Sequence, residues 1–167
     1  MRVDFSTFDS LKMRIRVIWE GKTKDAHLRA LQANYEARIA RFGELVIEEL
    51  APLRRRDGGK ASSSERRLLD RLKERAREGY TVLLDGRGRE WTSQEFGEWL
   101  GQRALHGTRE LVFIVGGPEG FCSALKEQAD LLLSLSRLTL THDWARTLLL
   151  EQIYRGFTML RGYPYPR

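Results

Sequence analysis

At 167 residues, 41% hydrophobic and 31% charged, the chain has the size and composition of one globular domain with a buried core. Apolar runs such as Leu131–Leu133 and Leu148–Leu150 are far too short to cross a bilayer, and the N-terminal MRVDFSTFDSLK lacks a signal peptide's apolar stretch. One cysteine, Cys122, excludes an internal disulfide and a multi-cysteine metal centre and fits a cytoplasmic protein, while the net charge of +6 points to an anionic partner, nucleic acid being the commonest.

Residues 1–12 show no clear period and read as an extension, leaving 13–167 as a single domain. MRIRVIWEG opens the first strand, with Ile15, Val17 and Trp19 alternating. A helix follows from near Asp25, with Leu28, Leu31, Tyr35, Ile39 and Phe42 on one stripe and Gly43 as its stop. LVIEEL (45–50) is a second strand, and RRRDGGKASSS (54–64) is loop-like. Ser63 or Ser64 then caps an arginine-rich helix closed by Gly79. YTVLLD (80–85) is a strand with GRGRE as the loop at its end, and Thr92 with Glu95 forms a capping box for the next helix. ELVFIVGG (110–117) is a nearly continuous apolar strand, the mark of burial on both faces. A helix over roughly 119–130, a fifth strand over LLLSLSRLTL (131–140) and a last helix capped by Asp143 and running to about Leu160 complete the pattern.

Strands alternating with helices predict a single-domain α/β fold, a mostly parallel sheet flanked by helices. In such sheets ligands bind beyond the carboxyl ends of the strands. That rule gathers three loops into one candidate site: Gly86–Arg89, Gly116–Gly120 and Thr139–Asp143.

Each loop has a ligand reading and a purely structural one. GGPEG lets backbone approach a ligand closely, yet it is also a tight strand-to-helix turn with Pro118 in the first helical turn and Glu119 favoured by the helix dipole. It matches neither the P-loop nor the dinucleotide glycine pattern, and a loop with no lysine suits adenine and ribose better than triphosphate. Asp85 either accepts from a ribose or an amine, or caps its turn. Ser134, Ser136, Thr139 and Thr141 interrupt an apolar strand with hydroxyls that either meet a base edge or face water on an edge strand. His27, His106 and His142 are scattered without metal-ligand spacing, so no metal is expected. On the last helix Thr147, Glu151, Arg155 and Thr158 form a polar stripe beside the apolar one, with Glu151 and Arg155 paired at i,i+4. The tail RGYPYPR adds Tyr163, Tyr165 and Arg167, aromatic and basic groups of the kind that stack on an unpaired base.

VGGPEG, LSRLTLTH and EQIYRGF…YPYPR, in this order and near these spacings, resemble the small SPOUT methyltransferases of the ribosomal RNA large subunit methyltransferase H type, from about Met13 to the C-terminus. The resemblance implies S-adenosylmethionine as methyl donor, held by Leu84, by Gly116 and Gly117, and by Ser136, Arg137, Leu138, Thr139, Leu140 and Thr141. It implies a trefoil knot in the C-terminal segment. It also implies methylation of N3 of a pseudouridine in 23S ribosomal RNA, within the assembled ribosome, by a homodimer. In that scheme Glu151 is the base or orients it, with His142 in reserve. Arg155 stabilises the developing charge, and Tyr165 and Arg167 grip the nucleotide together with Arg155. The chain departs from the family pattern at Thr141-His142-Asp143, where Pro-His-Pro is usual, and at Tyr165-Pro166-Arg167, where Tyr-His-Arg is usual. These departures keep two alternatives open: an RNA- or ribosome-binding protein with lost or altered turnover, and a methyltransferase of the same fold acting on transfer RNA.

Overall fold

The computed structural model describes residues 13–51, 63–75, 79–117 and 120–165. The readings of 1–12, of most of 54–64, and of Pro118, Glu119, Pro166 and Arg167 therefore lie outside the described residues. Ten elements alternate along the chain: β1 (Arg14–Glu20), α1 (Ala26–Ile39), β2 (Leu45–Leu50), α2 (Ser63–Arg75), β3 (Gly79–Glu90), α3 (Ser93–Leu105), β4 (Glu110–Val115), α4 (Ser123–Gln128), β5 (Leu131–Ser134) and α5 (His142–Leu160). The strands form one sheet in the order β2-β1-β4-β3-β5, and every pairing is parallel.

Alternation within β4 explains why its sequence is apolar throughout. Leu111, Phe113 and Val115 enter the core shared with α1, α3 and α5, while Val112 and Ile114 enter a second core under α2 and α4. A strand covered on both faces has no polar side to encode. On the first face α3 crosses α5 where Gly97 meets Gly156; a Cβ on Gly97 would lie 3.4 Å from the Gly156 Cα, and one on Gly156 would lie 3.2 Å from a Leu100 methyl.

Five expectations are corrected. The strand read as 80–85 runs to Glu90, because after Leu84 the chain leaves register and rejoins β5 with Arg89 opposite Leu133 and Glu90 opposite Ser134. The strand read as 131–140 ends at Ser134, so its hydroxyl-rich second half is loop, not an edge strand with a polar face. The helix read as 119–130 is the short Ser123–Gln128. Thr141, not Asp143, caps α5 by accepting from the Trp144 amide, and Asp143 sits in the first turn. The stripe of α1 is also shifted: Gln32 is buried and Leu31 is 39% exposed.

Gly88 is the tightest point of this arrangement. A Cβ there would lie 2.5 Å from the carbonyl carbon of Leu132 and 2.6 Å from the Leu133 amide nitrogen, both main-chain atoms that cannot swing aside. Gly88→Ala should therefore push β5 from the 84–90 segment at a cost of about 1–3 kcal/mol. Thermal melts check it; a variant that melts with the wild type would mean that β5 moves freely.

Candidate active site

The register shift of β3 after Leu84 and the ends of β4 and β5 open on a cavity of about 770 Å³, within the size range of small-molecule sites and at the carboxyl edge of the sheet. Leu84, Asp85 and Gly86 form one wall, Val115, Gly116, Gly117, Gly120 and Phe121 a second, and the continuous run 133–142 with Ala145 the third. All nine residues singled out for the donor line this one cavity, as does His142.

Two of the glycines have protein neighbours that sequence reading missed. A Cβ on Gly116 would touch the buried ring of Phe121, and one on Gly117 would run into the carboxylate of Glu20. The glycine pair thus admits Phe121 to the cavity wall and brings the end of β1 against the end of β4. Only the packing reveals Phe121 and Glu20 as participants.

The hydroxyl-rich loop is organised largely by itself. Ser134 Oγ donates to the Ser136 carbonyl at 3.0 Å, and Ser136 Oγ accepts from the Leu138 amide at 2.9 Å. Such short-range bonds favour turn over strand, which is why β5 stops where it does. They leave Leu138 largely exposed at the cavity mouth.

Asp85 is held in place by both of its oxygens: Lys126 Nζ lies 2.6 Å from Oδ2 and the Arg87 amide donates to Oδ1 at 2.9 Å. The lysine bond, ahead of the opposing effect of burial, holds the Asp85 carboxyl below the ordinary aspartate value. A depressed carboxylate pKa adds stability above the unfolded-state value, and that contribution is lost as pH falls through the folded one. Asp85→Asn should therefore flatten the loss of stability as pH falls below about 4, the ordinary aspartate value. Chemical denaturation at graded pH reads this; equal acid slopes in both proteins would remove Asp85 as an anchor.

Under the start of α5 lies a buried polar cluster. Arg146, fully buried, donates from Nη1 to Thr23 Oγ1 at 3.0 Å and from Nη2 to the Glu20 carbonyl. Its Nη1 is also 3.2 Å from Asp143 Oδ1, and the guanidinium stands over the Trp19 ring. Burial draws the Arg146 pKa below its ordinary value, and the charge of Asp143 opposes that. Gln32 completes the cluster, accepting from Thr23 Oγ1 at 3.0 Å and donating to Thr147 Oγ1 at 2.9 Å. The β1–α1 connection is thereby tied to the first turns of α5, where the third cavity loop ends.

Glu151, Arg155 and Tyr165 meet elsewhere, and none of them lines the cavity. From His142 to Glu151 is about 13 Å along the helix axis. Glu151 Oε1 accepts from Arg155 Nε at 2.9 Å and Nη2 at 2.6 Å, and Oε2 accepts from Gln152 at 2.6 Å. Arg155 stands 4.6 Å from the centroid of the Tyr165 ring, which packs edge-on against Tyr154. The Tyr165 hydroxyl lies 3.2 Å from that of Tyr35. Burial first, then the bond to Tyr35 and the nearby Glu151 carboxylate, push the Tyr165 pKa far up, so this phenol acts only in its protonated form.

The family model described as "Predicted SPOUT methyltransferase" matches residues 13–166. The chain belongs to the SPOUT methyltransferase family. Within it, the chain is 43% identical over 154 residues to "Ribosomal RNA large subunit methyltransferase H" of Geobacter sp. (strain M21), covering 92% of this chain and 98% of the relative. The protein of the same name from Streptococcus pneumoniae (strain CGSP14) is 36% identical over 162 residues, covering 92% and 99%. Among solved structures, a probable methylase family protein from Haemophilus influenzae Rd KW20 shares the fold, with a TM-score of 0.54 at 11% identity, over 93% of this chain and 72% of that one. As a SPOUT family member the chain is an enzyme whose methyl donor is S-adenosylmethionine. The cavity suits that donor: Leu84, Val115, Leu133 and Phe121 offer apolar surface to an adenine, and loop backbone with Asp85 offers polar contacts at the rim. Among the described residues no helix of this SPOUT protein is long and apolar enough to cross a membrane.

Proposed function

We propose that this methyltransferase modifies N3 of a pseudouridine in 23S ribosomal RNA, on the assembled ribosome in the cytoplasm, as a homodimer. The observation that carries the reading is the cavity built from three strand-end loops in a chain that spans 98% of a large-subunit RNA methyltransferase relative.

When bound, the donor supplies a methyl group on a positively charged sulfur, already activated for transfer. The chain's task is alignment, which can lower a barrier by roughly 7–11 kcal/mol, together with removal of the N3 proton, worth about 10²–10⁴ in rate. His142, on the cavity wall, is the candidate to receive that proton, whereas Asp85, on another wall of the same cavity, is held by Lys126. Both oxygens of Glu151 already accept hydrogen bonds, so Glu151 serves better to fix Arg155 than to act as the base. Arg155 and the protonated Tyr165 offer hydrogen-bond donors to the carbonyl oxygens flanking N3, which gain charge as the proton leaves.

The separation of the Glu151–Arg155–Tyr165 group from the cavity supports the dimer in this reading. A second copy would bring that group over the donor, and exposed Trp144 and Met159 on α5 with Leu138 at the cavity mouth supply apolar surface for the contact. Transfer of labelled methyl from S-adenosylmethionine to ribosomes from a strain lacking the enzyme tests the proposal. Label confined to one pseudouridine of 23S ribosomal RNA is the expected result. Label appearing only on transfer RNA, or donor binding without any transfer, would overturn it.

A further inference from the structure

A second cavity, of about 450 Å³, lies where the C-terminal ends of α1 and α5 meet, and it shares no residue with the donor cavity. Three arginines and three aromatics line it: Arg38, Arg41, Phe42, Tyr154, Arg161 and Tyr163. Among the described residues no carboxylate lines it, and neither Arg38 nor Arg41 forms an ion pair. Arg38 instead stands over the Tyr35 and Tyr154 rings, at 5.8 and 5.4 Å from their centroids.

The aromatic side is fixed from behind. Phe42 stacks on the buried Phe157 with rings 5° from parallel, and meets Tyr154 edge-on and Tyr163 at a tilt. The chain reverses at Gly162, whose φ of +65° a side chain would strain, and the Tyr163 amide then bonds the Thr158 carbonyl at 2.8 Å. That turn presents the Tyr163 ring at the rim, 58% exposed, in the same cavity as Arg38 and Arg41.

The geometry points to this cavity as a docking site for single-stranded RNA, with Arg38 and Arg41 on the phosphates and Tyr163 stacked on an unpaired base. It rests on the reading of the chain as an RNA methyltransferase and adds to it a binding surface remote from the donor. Guanidinium groups suit phosphate through their planar fork of donors, and a base stacked on an aromatic ring gains affinity whatever its identity. The same wall connects to the candidate catalytic group, because Tyr154 also packs edge-on against Tyr165. A strand held here would lead directly toward Arg155.

The rival role for these arginines is to complement the negative ends of the two helices. The test is the full chain carrying Arg38→Ala and Arg41→Ala together, with Tyr163→Ala as a separate variant. Dissociation constants are measured between about 50 and 200 mM salt for assembled ribosomes and for a short single-stranded RNA oligomer. The site predicts binding weakened by roughly tenfold in the double variant and a log–log salt slope shallower by about 0.7 for each phosphate no longer neutralised. Tyr163→Ala should weaken binding while leaving the slope in place. Wild-type affinity and slope on both RNAs in the double variant, with or without a lower Tm, would overturn the site, as would a wild-type chain that binds neither RNA. Methyl transfer by the wild type is scored separately: its absence overturns the proposed activity, and the binding comparison still decides the cavity.

Discussion

Arg146→Ala is expected to cost about 3–5 kcal/mol, the range for removing one member of a buried ion pair. In a chain of this length that lowers Tm by roughly 10 °C. The loss exceeds that of the guanidinium's packing alone, because Asp143 is left beside a void with only His142 and the Lys24 amide near its carboxylate, and Thr23 and the Glu20 carbonyl lose donors. Methyl-donor affinity should fall as well, since Thr141 and His142 on the cavity wall precede Asp143 directly. Arg146→Ala combined with Asp143→Asn should recover part of the stability, the coupling that marks a shared network. Thermal melts of the two single variants and the double variant measure it. A single variant that melts within about a degree of the wild type would mean that water or a neighbour replaces the guanidinium fully.

Arg155→Ala is expected to lower kcat on ribosomes by about 10²–10³, the effect of removing one preorganised donor to a developing oxyanion. Donor affinity should be unchanged, because Arg155 is not on the cavity wall. Arg155→Lys should restore little of the rate. A single ammonium does not reproduce the two bonds from Nε and Nη2 to Glu151 while still facing the Tyr165 ring. Single-turnover kinetics with saturating donor separates this from a binding defect. Turnover equal to the wild type would exclude Arg155 from the chemistry and leave it as a support for the C-terminal tyrosine.

These two arginines differ in how visible they are in the sequence. Arg155 stands four residues after Glu151 on a polar stripe, so its partner is legible from helical spacing alone. Arg146 has partners 123 and 126 residues away, and no local pattern shows that a charged residue four places after His142 is fully buried. Gln32 escaped for the same reason: it lies one position from the apolar Leu31, and the distant hydroxyls of Thr23 and Thr147 with the Asp143 carbonyl make its burial favourable.

What the sequence by itself determined is the class of fold and which strand ends gather around the large cavity. Apolar periodicity marks all five strands and the long helices, because burial acts on each side chain according to the face it occupies. The strand-end rule then brings the three loops together without reference to any tertiary contact. Short-range bonds from Ser134 and Ser136 end β5, whereas tertiary structure alone decided where β3 ends, since 84–90 is strand only because β5 lies beside it. It likewise decided that Glu151, Arg155 and Tyr165 form a group apart from the cavity, and that Arg38, Arg41 and Tyr163 share a second one. The physical reason is common to all of these: periodicity reports what one segment does with water, whereas a site depends on what distant segments do with each other.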